Sequence, residues 1–280
     1  MVLAQETRVE EKQSEETVPK NLQTEQLVAW CIVPFDAAER GPVERAEMLR
    51  ELGLRRLAYD WREKHVPSWP AELKALAEHD IELTSFWCSA SLSPASDPGA
   101  QRILKFLRKH KVTTQLWVML PDHELAKIDD ESQRVARAAE AIRQLAEPAG
   151  EIGCQVGLYN HGGWIGRPDT LVKVIHSLDD LSNVGIVYNF HHAHDDLDAF
   201  PAALRNMKPY LLCLNLNGTT VGGPKIQTFG DGELDAQILG WIREAKYTGP
   251  VGILDHRNEL DARDSLLSNL QGLRKLLETD

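Results

Sequence analysis

The sequence predicts a single (β/α)8 barrel with its working site at the C-terminal mouth of the strands. Eight short apolar segments alternate strictly with eight amphipathic ones from residue 27 onward. The apolar segments are rich in Val, Ile, Leu and aromatics, as strands buried on both faces are. The turn after the first of them, Pro34-Phe35-Asp36-Ala37-Ala38, lacks the Gly-rich fingerprint of an open dinucleotide-binding sheet. Eight units also match the barrel count without remainder.

The strands are expected at 27–35, 56–61, 81–88, 113–120, 154–161, 184–190, 211–217 and 251–254. The helices are expected at 43–52, 71–79, 100–110, 131–146, 168–178, 199–207, 234–245 and 263–277. Local signals set several boundaries. Pro70 and Pro168 stand where a first-turn proline, with fixed φ and no needed donor, starts a helix. Gly53 stops the first helix, and the Asp97 carboxylate can cap the third.

Residues 1–25 are read as a disordered leader, since Glu, Gln, Lys and Thr dominate from residue 5 and cannot repay their ordering entropy. No linker or composition break follows, so residues 26–280 form one domain. Met1 to Gln5 look like the tail of a secretory signal, with Val2-x-Ala4 as a cleavage-type site. That reading would place the protein in the periplasm or outside the cell; otherwise the cytoplasm is expected. The net charge of −11 repels phosphate backbones and argues against a nucleic-acid partner. No apolar stretch reaches the roughly 20 residues that span a bilayer, so no membrane partner is expected. Cys31, Cys88, Cys154 and Cys213 are widely spaced, which fits packed thiols rather than a zinc knot.

In a barrel of this kind the strand C-termini carry the chemistry while the strand bodies are packed. These ends hold Trp30, Asp60, Arg62, Trp87, Trp117, Tyr159, His161, Asn189, His192, Asn215, Asn217, Asp255 and His256. Aromatic faces stack on sugar C–H surfaces, and Asn, Asp and His read hydroxyls directionally. A small carbohydrate is therefore the expected partner. Some of the tryptophans could equally close the barrel end. Asp60 and Arg62 could be a salt-bridged pair that only ties a loop. His191, His192 and His194 cannot all face one way. If the strand continues, His191 shares a face with Asn189; if the chain turns after Asn189, His192 rejoins it. The functional reading takes His161 and His192 as an acid/base pair, against solvated loop histidines. Lys225 could neutralise an enediolate, or be a solvated lysine.

Four segments resemble the xylose isomerase-like TIM barrel superfamily over roughly residues 27–277. They are Leu158-Tyr159-Asn160-His161-Gly162-Gly163, the run from Val184 to His192, Gly230-Asp231-Gly232-Glu233-Leu234-Asp235, and Tyr247-Thr248-Gly249-Pro250-Val251. The resemblance implies a sugar isomerase or epimerase, and in metal-dependent members a divalent ion held by four strand ends. Carried over by motif, those ligand positions fall on Tyr159, Asn189, Asn215 and Leu254, or on Asp255 if the last strand is shifted by one residue. His192 keeps the motif's histidine. Neutral amides and a phenol offset the dehydration of a hard cation poorly. The expectation is therefore no metal and no other cofactor. The alternative is one divalent ion in a rebuilt site drawing on His161, His192 and Asp255. A branch of bacterial sugar isomerase/epimerase-like proteins with Tyr-x-His and Asn-x-x-His in these places is also similar.

The expected activity is proton transfer beside a sugar carbonyl, as in isomerisation, epimerisation or a related elimination. Tyr159, His161 and His192 are the catalytic candidates. Asn189, Asn215, Asn217, Trp30, Asp60, Trp87, Trp117, Asp255 and His256 are the substrate-binding ones. The competing readings are a sugar-binding barrel without catalysis and a metal-dependent isomerase or lyase.

Overall fold

A computed structural model describes residues 18–194 and 197–278. The proposed signal remnant at Met1 to Gln5 lies outside them. Eight parallel strands close into a ring in sequence order. They are β1 (Val28–Trp30), β2 (Arg56–Tyr59), β3 (Glu82–Ser89), β4 (Gln115–Met119), β5 (Gln155–Tyr159), β6 (Val184–Asn189), β7 (Leu211–Leu216) and β8 (Val251–Leu254). Closure is made where Val28, Ala29 and Trp30 pair with Gly252, Ile253 and Leu254.

The helices are α1 (Pro42–Glu51), α2 (Trp69–Glu78), α3 (Pro98–His110), α4 (Asp122–Leu125), α5 (Glu131–Gly150), α6 (Pro168–His176), α7 (Phe200–Met207), α8 (Asp235–Glu244) and α9 (Ala262–Glu278). The short α4 is an addition to the sequence expectation. The expected punctuation is present. Asp97 Oδ1 accepts from the amides of Gly99 and Ala100 at 2.8 and 3.1 Å. Gly53 takes φ +80° just past α1, a left-handed stop that glycine adopts without a Cβ clash.

The two largest boundary changes lie near the start of the barrel. β1 stops at Trp30 rather than running to residue 35, because Cys31 takes φ +60° and turns the chain out of the ladder. Residues 18–25, assigned by composition to the leader, fold against the barrel as 3-10 turns at Lys20–Leu22 and Thr24–Gln26. Leu22 is only 3% exposed. The Asn21 amide donates to the carbonyls of Tyr247 and Gly249 at 3.2 and 3.0 Å.

Two layers of core result. The larger lies between strands and helices. The smaller fills the barrel with Val28, Trp30, Cys31, Ala58, Trp117, Tyr159, Val187, Cys213 and Leu254. Glycines make room for these interior groups. A Cβ on Gly157 would stand 2.6 Å from Val187 and 3.5 Å from the Trp117 ring. One on Gly252 would stand 1.9 Å from Asn215 Oδ1. Gly252→Ala is therefore expected to lower stability by about 1–3 kcal/mol, the typical cost of overpacking. Gly240→Ala in α8, where a Cβ meets nothing within 4 Å, is expected to raise it by up to about 1 kcal/mol. Urea denaturation of the two variants checks both signs. All four cysteines are buried free thiols. Among the described residues no helix is long and apolar enough to cross a membrane.

Candidate functional site

The site begins with the turn that ends β6. Asn189 Oδ1 accepts from the His191 amide at 3.1 Å and caps a 3-10 turn over Phe190–His192. Asn160, just beyond β5, clasps the same place: its Oδ1 accepts from the Asn189 amide at 2.7 Å and its Nδ2 donates to the Asn189 carbonyl at 3.1 Å. The strand cannot continue, so His192 swings back over the barrel. Of the two arrangements the sequence left open, the chain takes the second.

His192 then packs 4.4 Å from His161 and 5.6 Å from Tyr159, ring centroid to centroid. The imidazole row continues outward through His191 at 4.4 Å and His256 at 5.1 Å from it, with Phe35 stacked on His256 at 3.8 Å. Beneath lies an aromatic floor. Trp30 stands 4.7 Å from Trp117 and 5.8 Å from Trp87, and Trp87 stands 5.0 Å from Tyr159. The Asn189 side-chain Nδ2 donates to the Tyr159 hydroxyl.

These groups enclose a void of about 40 Å³ lined by Trp30, Cys31, Asp60, Arg62, Trp87, Tyr159, His161, His192 and His256. Asp60 is the carboxylate of the chamber and is 1% exposed. Its Oδ1 accepts from the Val33 amide at 3.2 Å. Its Oδ2 is buried with no hydrogen-bond partner among the described residues. Arg62 does not tie Asp60 down through a side-chain bridge; its Nη1 donates to the backbone carbonyls of Asp60 and Trp61. Its guanidinium carbon lies 5.4 Å from the centre of the Phe35 ring.

Burial sets the protonation of the chamber. It pushes Asp60 up to about 6, against the pull of Arg62 and the Val33 amide. It pushes His192 down to about 2 and His256 down to about 4, helped in each case by neighbouring cationic and imidazole groups. His161 and His191 are lowered by the same cause. Burial raises the Tyr159 phenol and the Cys31 thiol. The low dielectric favours neutral forms: imidazoles without charge beside a carboxyl that keeps its proton up to about pH 6.

Other predicted residues lie elsewhere. Trp117 is fully buried, donates to Gln115 Oε1 at 2.8 Å and belongs to the floor. Asn189, Asn215 and Asn217 are buried and do not line the void. Asn215 Oδ1 accepts from the Cys213 thiol, while its Nδ2 is buried without a partner among the described residues. Asn217 holds the Gly218 and Lys225 carbonyls at 2.9 and 3.1 Å. Lys225 contributes that carbonyl, which also meets His191 Nδ1 at 3.3 Å, and its side chain is exposed. Asp255 was expected to face substrate. It turns instead toward α9, where Ser265 donates to it at 2.8 Å and Arg257 at 3.2 Å. Leu254 takes the inward position. Cys31, expected only as a packed thiol, stands at the chamber wall because of its left-handed φ, which has no signal in the sequence.

The four strand-end positions that the resemblance assigns to a divalent ion do not fit one. The Tyr159 hydroxyl accepts from Asn189 Nδ2, Asn189 Oδ1 accepts from the His191 amide, Asn215 presents an amide, and Leu254 is apolar. Among the described residues no group of three or more His, Cys, Asp or Glu side chains is arranged to hold a metal ion.

The Xylose isomerase-like TIM barrel family model matches residues 36–276. No curated protein sequence matches the chain. Solved structures share the fold at low identity. 3-Keto-D-glucoside 4-epimerase from E. coli is 16% identical with a TM-score of 0.66, covering 89% of this chain and 98% of that one. D-Psicose 3-epimerase from Clostridium cellulolyticum, solved with D-tagatose, is 20% identical with a TM-score of 0.62, covering 85% and 94%. A xylose isomerase-like TIM barrel protein from Mycobacterium smegmatis, in complex with magnesium, is 15% identical with a TM-score of 0.60, covering 90% and 97%. At these identities the likeness speaks for the fold alone. With the family model spanning nearly the whole barrel, the chain belongs to the xylose isomerase-like TIM barrel family.

Proposed function

We propose that the protein moves a proton at a carbon beside the carbonyl of a carbohydrate, as in isomerisation, epimerisation or a related elimination, without a divalent ion. The observation that carries this reading is the pairing of the unpartnered Asp60 Oδ2 with neutral imidazoles around one void. The epimerase names of two structural neighbours agree with it.

His161, at the rim, is the base. Its nitrogen takes the proton from carbon, and the C–H electron pair becomes the C=C bond of an enol or enediolate. Asp60, on the β2 side, is the acid. Its Oδ2–H gives a proton to carbon or to the leaving oxygen. β2 and β5 stand three strands apart in the ring, so the two groups approach a substrate from different sides. His192, pushed down to about 2, is too weak a base to take a carbon-bound proton. A neutral imidazole can instead donate an N–H bond to the developing oxyanion, a role with precedent in other barrels. Tyr159, held by Asn189, is a second donor. Trp30 and Trp87 offer faces to sugar C–H groups. The neutral amides and phenol at the inherited ligand positions support the metal-free part.

Incubation in deuterium oxide with a panel of ketoses, aldoses and 3-keto-sugars, followed by NMR, tests this. One panel member is expected to exchange, at a rate unchanged by chelator and with no stoichiometric ion in the purified protein. His161→Ala is expected to slow exchange at least tenfold. Exchange that a chelator abolishes and an added ion restores would sink the metal-free mechanism. A ligand that raises the melting temperature with no exchange anywhere in the panel favours the alternative, a sugar-binding barrel without catalysis.

A further inference from the structure

We propose that the groove between the Gly162–Arg167 loop and α7 is a second binding subsite, which takes the second ring or aglycone of an uncharged glycoside. This rests on the carbohydrate reading of the chamber and adds the class of substrate.

The chamber poses the problem. The void, at about 40 Å³, is far smaller than the roughly 300–1,000 Å³ of small-molecule sites. It takes the reacting end of a sugar, not a whole glycoside. The rest of a larger substrate must lie outside it. Beside it runs a groove of about 640 Å³, within the roughly 300–1,000 Å³ range of small-molecule sites. His192 lines both spaces. Asn160 lines the groove and also clasps the Asn189 backbone that sets the His192 turn. An occupant of the groove therefore touches the wall it shares with the chamber.

The groove is built to receive a ring. Trp164 lines it half-buried, with the Arg134 guanidinium 4.9 Å from its ring centre. Ala199 and Ala202 give the α7 side a low wall. The loop is pinned beforehand, since the Ile165 amide donates to Asp122 Oδ1 at 3.0 Å and the Gly166 amide to the Gly162 carbonyl at 3.2 Å. Gly163, at φ +68°, lies so close to Asp122 that a Cβ would stand 2.3 Å from its carboxyl. Among the described lining residues one cation, Arg167, is matched by one carboxylate, Asp169. That lining offers no cluster of positive charge for a phosphate and suits a neutral ligand read by hydrogen bonds and stacking.

Calorimetry on the full-length protein with D-glucose, phenyl β-D-glucoside, cellobiose and glucose 6-phosphate tests the subsite. Phenyl β-D-glucoside and cellobiose are expected to bind at least tenfold tighter than glucose, and glucose 6-phosphate no tighter than glucose. Ala202→Trp, at an exposed position that fills the groove, and Trp164→Ala, which removes the platform, are each expected to erase the advantage and leave glucose affinity unchanged. Circular dichroism confirms that each variant is folded. Equal binding of glucose and the glycosides, or an advantage that survives both variants, overturns the subsite while the carbohydrate reading stands. Tighter binding of glucose 6-phosphate than of the glycosides overturns the uncharged class. Binding of none of the four ligands overturns the subsite, while the deuterium-exchange panel decides the carbohydrate reading separately.

Discussion

Asp60→Asn is expected to slow proton exchange by about two to four orders of magnitude, the usual worth of a positioned general acid or base. The amide keeps the shape and can still accept from the Val33 amide, so substrate affinity and fold are expected to change little. The wild-type pH profile carries the same signature. Asp60 must be protonated to act as the acid, and burial raises it to about 6. kcat/KM is therefore expected to fall as pH rises through about 6. On the acid side the limit is the protonation of His161, which burial moves below its usual value. Arg62 pulls Asp60 down. Arg62→Met is expected to move the alkaline limb to higher pH. A limb that stays in place in Arg62→Met, or full exchange activity in Asp60→Asn, would remove Asp60 from the mechanism.

The largest stability effect is expected between α1 and α2. Arg45 Nη1 meets Glu72 Oε2 at 2.6 Å, and both side chains are only 3% exposed. Arg45→Met leaves a buried carboxylate without its partner and is expected to cost about 3–5 kcal/mol. Desolvation already raises Glu72, and Arg45 is what pulls it back. In the variant its folded pKa rises further above the unfolded value. A carboxyl raised in the folded state binds more protons there than in the unfolded chain, so stability falls as pH rises. The loss is therefore expected to be larger at pH 8 than at pH 5. Adding Glu72→Met is expected to recover much of it, because an apolar pair of similar volume often replaces a buried ion pair at little cost. Urea titrations at both pH values measure each outcome.

The barrel was legible because its signals are periodic and repeated. Eight apolar runs, a capping Asp97 and a stopping Gly53 each point to the same architecture, and the ring closes as they require. The leader boundary was not legible. What orders residues 18–25 is one leucine and one amide that reaches backbone carbonyls more than two hundred positions away, which composition does not record. The site was legible as a set of strand ends but not as an arrangement. A one-residue register decides that Leu254 faces in while Asp255 faces α9. A side-chain cap decides that His192, rather than His191, rejoins Tyr159. The free oxygen of Asp60 depends on which backbone amide takes the other one, and that is a property of the fold.

The floor of the chamber has an optical consequence. Indole transitions at the separations found for Trp30, Trp87 and Trp117 couple to one another. The near-ultraviolet dichroic spectrum then carries a component from this spot, beside that of the Trp61–Trp69 pair at 4.8 Å, and a ligand that tilts one of the floor indoles changes it. The protein thus carries an intrinsic, label-free gauge of what happens at its mouth.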